Sequence, residues 1–213
     1  MQTKLITLHP QNPQPRLIAE IIDTLKAGGV IIYPTDTRYA LGCDIYNKSA
    51  VTRIAKIKGV EPEKALFSCI CPDFKTIGNY TGQIDNNTFK IMKQAFPGPY
   101  TFILPASKNI PRHFQSRRKT LGVRVVDQPI ASGIVAALEG PLTSATLPDA
   151  PNGLPILEPQ DIFEAYKGQV DIVIDGGRGG DGLSTIIEVE NGSTMTVVRE
   201  GLGDLEALGI VLD

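Results

Sequence analysis

The chain has 213 residues and a hydrophobic content of 42%, which predicts one globular domain with an ordinary buried core. Its net charge is −2, and no apolar run approaches the roughly 20 residues needed to span a bilayer, which excludes a membrane-spanning class. The first residues lack the long apolar segment of a secretory signal, so we expect a cytoplasmic protein.

The hydrophobic pattern predicts helices and strands in alternation. Apolar residues at helical spacing predict helices at 17–25, 47–58, 89–96, 129–138 and 159–167, with Asn47 as a possible cap of the second. Apolar and β-branched runs predict strands at 30–33, 65–71, 100–104, 121–126, 142–145, 170–174, 184–190 and 194–199. Asn191-Gly192 indicates a hairpin between the last two strands. We therefore expect an α/β domain with a mixed, partly antiparallel sheet.

The pattern of cysteines favours thiols that pack in the core over thiols that bind a metal. Cys69 and Cys71 lie two residues apart in a predicted strand, so their thiols face one side of it, and Cys43 stands alone. Reduced thiols in a cytosolic core are the expected state. A structural zinc site takes about four ligands, and His9 and His113 are the only histidines, so we expect no bound metal.

The charges are unevenly distributed along the chain. No acidic residue lies between Asp85 and Asp127, a stretch that holds the cations Lys90, Lys93, Lys108, Arg112, Arg117, Arg118, Lys119 and Arg124. From Asp149 onward the balance reverses, with 13 acids against three cations. Two interpretations stay open. The stretch forms a surface for a polyanion such as nucleotide phosphate or RNA, or it is a solvated face balanced by the acidic C-terminal third.

Hydroxyls and cations gather where predicted strands end. The pattern begins in Tyr33-Pro-Thr-Asp-Thr-Arg-Tyr-Ala-Leu-Gly42, which follows the strand at 30–33. A Walker phosphate loop and a Gly-x-Ser-x-Gly nucleophile elbow are both absent. The hydroxyls and cations at these strand ends can hold carboxylates and phosphates without a covalent nucleophile. They are Thr35, Thr37, Lys58, Lys64, Arg124, Ser144, Thr146, Ser184 and Arg199.

These segments resemble the YrdC/YciO family of threonylcarbamoyl-AMP synthase-like proteins. The segment from Tyr33 to Gly42 is similar to the family's Pro-Thr-Glu-Thr-x-Tyr-Gly-Leu-Gly signature. Further landmarks occur in order from about residue 17 to 204: Lys58 and Lys64, Pro97-Gly-Pro-Tyr-Thr101, Leu121-Gly-Val-Arg-Val125, Pro141-Leu-Thr-Ser-Ala-Thr146, Ser184-Thr185 and Val198-Arg-Glu-Gly201. Their order places the whole chain, 1–213, in one YrdC-like domain.

The resemblance implies a fold and a reaction. The fold is a twisted mixed β-sheet with flanking helices around a basic cavity, like that of dihydroxybutanone phosphate synthase. The reaction, a nucleotidyl transfer, joins threonine, bicarbonate and ATP into threonylcarbamoyl-AMP for tRNA modification, with Mg²⁺ as counter-ion of the phosphates. The resemblance implies substrate-binding residues Thr35, Thr37, Tyr39, Lys58, Arg124 and Ser184, and nucleotide-binding residues Lys64, Ser144, Thr146 and Arg199.

Two departures from the family pattern leave the activity open. Active synthases carry Lys-x-Arg and Ser-x-Asn, whereas here Lys58 is followed by Gly59 and Val60, and the turn reads Thr146-Leu147-Pro148. The pattern is closest to the YciO branch. Three hypotheses follow: a weak synthase, a non-catalytic protein that binds tRNA or double-stranded RNA, and a hydrolase of a threonylcarbamoyl group. For the RNA hypothesis the candidate contacts are Arg112, Arg117, Arg118 and Lys119.

Overall fold

A computed structural model describes residues 2–62, 65–114, 118–191 and 193–210. The helices are α1 (Pro15–Lys26), α2 (Lys48–Ile57), α3 (Phe74–Tyr80), α4 (Asn86–Ala95), α5 (Pro129–Leu138) and α6 (Pro159–Tyr166). The strands are β1 (Lys4–Thr7), β2 (Ile31–Tyr33), β3 (Ala40–Gly42), β4 (Ser68–Ile70), β5 (Tyr100–Pro105), β6 (Thr120–Arg124), β7 (Leu142–Thr146), β8 (Ile172–Asp175), β9 (Thr185–Glu190) and β10 (Thr194–Arg199). A short 3₁₀ helix follows at Glu206–Leu208.

Within the described ranges the strands form one mixed sheet in the order β1-β8-β2-β3-β7-β4-β6-β5-β9-β10. The pairs β1–β8, β2–β8, β4–β6 and β5–β9 are parallel, and the other neighbours are antiparallel. The expected α/β fold with a mixed sheet and flanking helices is therefore confirmed. No helix in these ranges is long and apolar enough to cross a membrane.

The two faces of the sheet carry separate apolar clusters. Around β2, Ile31 and Tyr33 belong to one cluster and Val30 and Ile32 to the other, since successive side chains of a strand point to opposite faces. Helices α1 and α5 contribute apolar residues to the cluster of Ile31, and α2, α3, α4 and α6 contribute to that of Val30. The helices thus form a layer on each face.

Helix α2 positions Lys58, one of the residues predicted to bind substrate. Asn47 caps it, because its side-chain oxygen accepts a hydrogen bond from the Ala50 backbone nitrogen at 3.0 Å, as predicted. The helix ends at Ile57 with Lys58 as its C-cap, after which Gly59 adopts a φ of +66°, a left-handed conformation that glycine takes without a steric penalty. The chain therefore turns sharply just after Lys58, which sits at the end of a rigid element.

The predicted α-helices and strands are found near their expected bounds, with three omissions. The strand expected at 65–71 is shorter, Ser68–Ile70. Strands β1 and β3 and helix α3 were not predicted. Cys69 and Cys71 are both buried in one apolar cluster while Ile70 lies in the other, and the three thiols are free, which confirms their expected packing. Burial raises the pKa of the Cys43 and Cys71 thiols to about 12.

Candidate functional site

A cavity of about 420 Å³ opens over one half of the sheet. Strands β4 to β7, β9 and β10 supply most of its wall, and Lys58 and Phe114 also line it. On the other half of the sheet, the same face is covered by α1 and α5, whose cluster extends to Ile70 and Leu142. The cavity is therefore the uncovered part of a face that is elsewhere a packed core.

Small and polar residues keep this part of the face open. On β6, Leu121 and Val123 point into the apolar cluster of the opposite face, whereas Gly122 and Arg124 line the cavity. A Cβ atom added at Gly122 would lie 2.9 Å from the Ser68 Cβ of the neighbouring strand. The glycine thus permits the close approach of two strands at the cavity floor.

Arg124, a residue of the cavity wall, forms a buried ion pair with Asp36. The guanidinium Nη2 donates to Asp36 Oδ1 at 2.5 Å, and the two side chains are 6% and 7% exposed. The second carboxylate oxygen accepts a hydrogen bond from the Asp127 backbone nitrogen at 3.1 Å. Burial raises the pKa of Asp36, an effect that the Arg124 charge opposes. Asp36 therefore holds the Arg124 guanidinium in place and links the loop after β2 to the segment after β6.

The two threonines beside Asp36 organise the loop around this pair. Thr35 Oγ1 donates to the Arg38 carbonyl oxygen at 2.6 Å and accepts from the Thr37 backbone nitrogen at 3.1 Å. Thr37 Oγ1 lies 2.9 Å from Thr35 Oγ1 and accepts from Arg124 Nη2 at 3.3 Å. The Nε of Arg124 is buried and has no hydrogen-bond partner among the described residues. A buried donor without an acceptor carries a free-energy cost, so this nitrogen is a strained feature of the pair.

Arg199 enters the cavity from β10 and is held by neutral groups. Its Nε and Nη2 donate to the Ser184 carbonyl oxygen at 3.0 and 2.8 Å, and Nη2 is 3.1 Å from Ser184 Oγ. Ser184 Oγ in turn lies 2.9 Å from Thr101 Oγ1. Arg199 forms no ion pair with a described carboxylate. Its positive charge is therefore oriented, and no carboxylate of the described residues neutralises it.

Lys58 and Arg38 lie near a shared carboxylate, Asp149. Lys58 Nζ donates to the Thr146 carbonyl oxygen, and Arg38 Nη1 donates to Asp149 Oδ1 at 2.7 Å. Arg38 Nε also donates to the Asp181 carbonyl oxygen at 2.8 Å. Burial lowers the pKa of Lys58, and the Asp149 charge opposes that shift. The segment after β7 is thus tied electrostatically to both α2 and the β2–β3 loop.

The cations of the cavity repel one another. Burial lowers the pKa of Arg199, and the like charges of Arg124 and Arg38 lower it further. Burial likewise lowers the pKa of Arg124. Arginine keeps its proton at neutral pH in spite of such shifts, so the guanidinium groups of Arg124 and Arg199 stay charged. A site with this surplus of positive charge is suited to a polyanionic ligand.

The comparisons with known proteins identify the family. The Sua5/YciO/YrdC family model, described as "Telomere recombination", matches residues 23–201. The chain belongs to this family. It is 40% identical over 200 residues to the uncharacterized protein YciO of Escherichia coli K12, covering 93% of this chain and 96% of YciO. It is 30% identical over 172 residues to the threonylcarbamoyl-AMP synthase of Halorhodospira halophila, covering 80% of this chain and 88% of the synthase.

Solved structures of family members share the fold. The crystal structure of E. coli YciO superposes with a TM-score of 0.89 at 38% identity, covering 97% of this chain and 99% of that one. The structure of P. abyssi Sua5 complexed with L-threonine superposes with a TM-score of 0.83 at 24% identity, covering 93% of this chain and 58% of Sua5. The architecture expected for the Sua5/YciO/YrdC family is therefore present over most of the chain.

Six of the ten residues predicted for small-molecule binding meet in the cavity. They come from separate segments and are Lys58, Arg124, Ser144, Thr146, Ser184 and Arg199. Thr35 and Thr37 lie outside the wall, where they shape the loop beside Arg124. Tyr39 is buried, and its hydroxyl donates to the Gly177 carbonyl oxygen at 2.7 Å. Lys64 lies outside the described residues. The binding role of each residue stays a prediction.

The basic stretch does not form a single uniform surface. Arg124 is buried and lines the cavity, so it does not belong to a solvated face. Arg112, Arg118 and Lys119 are exposed, and they flank Phe114 and Thr120 of the cavity wall in sequence. The Arg118 Nη1 atom lies 3.8 Å from Glu188 Oε1. Arg117 lies outside the described residues. An RNA-binding role for these cations is untested.

Several residues of the site were missed by the sequence reasoning. Asp36 stands inside the quoted motif but was not assigned, although an acid between two threonines in a strand-end loop is a usable signal. Arg38 and Asp149 carry no local pattern that links them. Apolar residues also line the wall, and no periodicity marks them as such: Ala65, Leu66, Phe67, Ile103, Phe114, Ala145, Ile186 and Val198.

The described residues contain no group of three or more His, Cys, Asp or Glu side chains placed to hold a metal ion. The two carboxylates nearest the cavity cations, Asp36 and Asp149, are already paired with arginines. These donors do not fit a resident metal site. Any divalent cation would enter with the phosphates of a nucleotide and not with the protein.

Proposed function

We propose that the protein binds ATP and L-threonine in this cavity and forms threonylcarbamoyl-AMP slowly. The observation that carries the proposal is that Arg124 and Arg199, from strands β6 and β10, line one cavity, where Arg199 is held by neutral groups and forms no ion pair with a described carboxylate. The similarity to a threonylcarbamoyl-AMP synthase over 80% of the chain supports the choice of reaction.

The residues suit this chemistry by orientation and charge. Threonine and bicarbonate first condense to a carbamate with loss of water. A carbamate oxygen then bonds to the α-phosphorus of ATP, the bond from that phosphorus to the bridging oxygen breaks, and pyrophosphate leaves with the electron pair. No covalent protein nucleophile is required, and positioning with electrostatic stabilisation supplies the catalysis. We assign Arg124 to the carboxylate groups and Arg199 with Ser144 and Thr146 to the nucleotide. Mg²⁺ accompanies ATP as a counter-ion.

The expected slowness follows from two positions. Val60 is 39% exposed and does not belong to the cavity wall, and Pro148 has no backbone N–H and no side-chain donor. Active synthases present arginine and asparagine donors at these places, according to the resemblance. Each charge-assisted hydrogen bond is typically worth about 1.5–3 kcal/mol, so losing them lowers the rate by one or more decades.

A pyrophosphate-release assay tests the proposal. Purified protein is incubated with ATP, bicarbonate and threonine, and the matched control omits threonine. We expect slow release that depends on threonine. Release that is equal without threonine would refute the synthase. Consumption of supplied threonylcarbamoyl-AMP without net pyrophosphate chemistry would instead identify a hydrolase in the same cavity.

RNA binding is a second candidate function, favoured by one observation. The exposed cations Arg112, Arg118 and Lys119 flank two residues of the cavity wall, so an RNA bound to them would reach the opening. Phosphate contacts by such cations give affinity without base specificity. A tRNA or double-stranded RNA is the expected partner, and the salt dependence of retention on a filter is the measurement.

A further inference from the structure

We propose that Thr101 is a positioning residue of the cavity, which orients the Ser184 side chain and, through it, the Arg199 guanidinium toward an oxyanion. The inference deepens the proposed function and rests on it, because the oxyanion is a phosphate group of the nucleotide or the carboxylate of threonine. A chain of contacts carries the inference: Thr101 Oγ1 lies 2.9 Å from Ser184 Oγ, which lies 3.1 Å from Arg199 Nη2.

Three neighbouring strands bring these residues together. Thr101 on β5 pairs with Ile186 of β9, and Ser184 directly precedes β9. Thr101 lines the cavity, whereas Tyr100 and Phe102 on either side of it belong to the apolar cluster of the opposite face. Ser184 also lines the cavity, and the two hydroxyl-bearing residues are buried. The contact between them therefore lies on the cavity side of the sheet.

A bulge in β10 turns Arg199 toward the cavity. Val197 packs against the apolar cluster of the opposite face, and strict alternation would place Arg199 on that face too. The pairing with β9 shifts by one residue after Val197, however, and Val198 and Arg199 both line the cavity. The backbone thus aims the Arg199 side chain at the cavity, and its hydrogen bonds to Ser184 fix the direction of the guanidinium.

The contact with Thr101 restrains the Ser184 hydroxyl. A guanidinium can only donate, so Ser184 Oγ accepts the hydrogen bond from Arg199 Nη2. This bond requires one orientation of the serine side chain, which has little steric restraint of its own. Threonine is β-branched and stiff at χ1, so the Thr101 hydroxyl is a fixed second point of attachment. Thr101 therefore holds Ser184 Oγ where Arg199 can reach it.

The resulting unit is suited to an oxyanion. No carboxylate of the described residues neutralises Arg199. The hydroxyls of Thr101 and Ser184 share one hydrogen bond, so one of their two protons is left for another acceptor. Phosphate and carboxylate oxygens accept from both kinds of donor. A ligand oxygen in the cavity can therefore meet a guanidinium and a hydroxyl whose positions depend on each other.

Isothermal titration with pyrophosphate and, separately, with L-threonine tests the inference and distinguishes the two sources of the oxyanion. We expect Thr101→Val to weaken the affinity for at least one of them by about three- to tenfold, the range of one neutral hydrogen bond. Thr101→Ser, which keeps the hydroxyl, recovers most of that affinity. Weaker binding of pyrophosphate assigns the oxyanion to a phosphate, and weaker binding of threonine assigns it to a carboxylate.

Thr81→Val is the matched control. Thr81 is also buried, its Oγ1 donates to the Ile77 carbonyl oxygen at 2.9 Å, and it does not belong to the cavity wall. The substitution removes the same hydroxyl from another buried position and leaves both affinities unchanged. Equal losses in Thr81→Val and Thr101→Val would overturn the inference. Affinities for both ligands that stay unchanged in Thr101→Val would overturn it as well, as would a Thr101→Ser variant as weak as Thr101→Val.

A double-mutant comparison shows whether Thr101 acts through Ser184. In the Ser184→Ala background we expect Thr101→Val to change the affinity by less than about twofold, because no serine hydroxyl is left to position. A loss as large as that in the unaltered protein would mean that Thr101 acts without Ser184, and it would overturn the positioning role. If Thr101→Val does not fold, Thr101→Ala replaces it in both backgrounds.

These outcomes remain distinct from those for the proposed function. If Thr101→Val weakens pyrophosphate or threonine binding but the unaltered protein shows no threonine-dependent release, the positioning role stands and the synthase fails. If release is found and Thr101→Val leaves both affinities unchanged, the synthase stands and the positioning role fails. If the unaltered protein binds neither ligand, the inference is overturned, because the cavity then takes neither oxyanion.

Discussion

The Arg124 guanidinium and the Asp36 carboxylate meet at 2.5 Å with both side chains more than nine-tenths buried. Removing two charges from water is costly, and their mutual attraction repays that cost only in good geometry with further hydrogen bonds. Here Thr37 and the Asp127 backbone nitrogen supply those bonds. The pair therefore links the loop after β2 to the end of β6 and positions Arg124 against the cavity.

Arg124→Gln is expected to destabilise the fold by about 3–5 kcal/mol at neutral pH, because it leaves Asp36 buried without its counter-ion. Urea denaturation, monitored by circular dichroism, measures the decrease in the free energy of unfolding. Arg112→Gln, which removes an exposed cation from the same chain region, is the control and should leave the unfolding free energy within about 0.5 kcal/mol.

The cost of Arg124→Gln should depend on pH. Burial already raises the pKa of Asp36, and removing the opposing guanidinium raises it further. A carboxyl with a raised folded-state pKa binds its proton more readily when folded, so its penalty is present above that pKa and is relieved as pH falls through it. The difference in unfolding free energy from the unaltered protein should therefore shrink toward about pH 4. A difference that is constant with pH would show that Asp36 is not the source of the instability.

Arg199→Ala is expected to weaken ATP binding by about 1.5–3 kcal/mol, because a charge-assisted contact to phosphate is lost. Isothermal titration gives the dissociation constant. Arg178→Ala is the matched control, since Arg178 is 64% exposed and pairs with Glu158 away from the cavity wall. An unchanged dissociation constant for Arg199→Ala would remove this residue from the nucleotide site.

Much of the fold follows from periodicity, and the omissions have physical causes. Helix α1 was predictable because Ile18, Ile21, Ile22 and Leu25 form one buried stripe. Strand β3 has only three residues, Ala40–Gly42, and exists because β2 and β7 pair with its two edges. Such a short strand has no detectable alternation of its own. Helix α3 has a single buried residue, Ile77, too few to define a period.

Only those residues of the site that lie on strands could be predicted from the sequence. Ser144, Arg124 and Arg199 lie on β7, β6 and β10 and line one cavity, while the binding roles that the resemblance implies for them stay predictions. The pairing of Asp149 with Arg38 joins residues 111 positions apart through two loops, and no local rule encodes such a contact. The apolar residues of the cavity wall could not be predicted from the sequence either. Leu66, for example, is 75% exposed, and nothing in the sequence distinguishes it from other surface leucines.

The double change Val60→Arg with Pro148→Asn is expected to raise threonine-dependent pyrophosphate release at least tenfold, about 1.4 kcal/mol of barrier. The changes restore a guanidinium after α2 and an amide after β7. Release is measured under saturating ATP and threonine. Val60 is partly exposed, so an arginine there can be placed without repacking the core.

Val60→Lys with Pro148→Asn separates charge from geometry. Lysine restores the positive charge without the planar fork that binds two oxygens at once, so it should recover only part of the gain. If neither double variant is faster than the unaltered protein, the cavity serves another reaction. If the unaltered protein already matches an authentic synthase, the missing donors were never required.

The last prediction concerns RNA. Neutralising Arg117, Arg118 and Lys119 to Gln should flatten the plot of log affinity against log salt by about two to three units, since each neutralised phosphate contributes roughly 0.7–0.9. Filter binding of tRNA over a salt series is the measurement. Binding of ATP should change little, because Arg118 and Lys119 do not belong to the cavity wall.

The control variant removes the same charge elsewhere, by Arg16→Gln, Lys26→Gln and Lys75→Gln, three exposed cations on α1 and α3. If the RNA-binding surface is specific, the variant at residues 117–119 loses affinity for RNA and the control variant keeps it. The reason is that counterions are released only from the phosphates that the protein contacts. Equal losses would indicate a diffuse electrostatic attraction. If no tRNA or duplex RNA is retained at low salt, the exposed cations of this stretch are a solvated face balanced by the acidic C-terminal third of the chain.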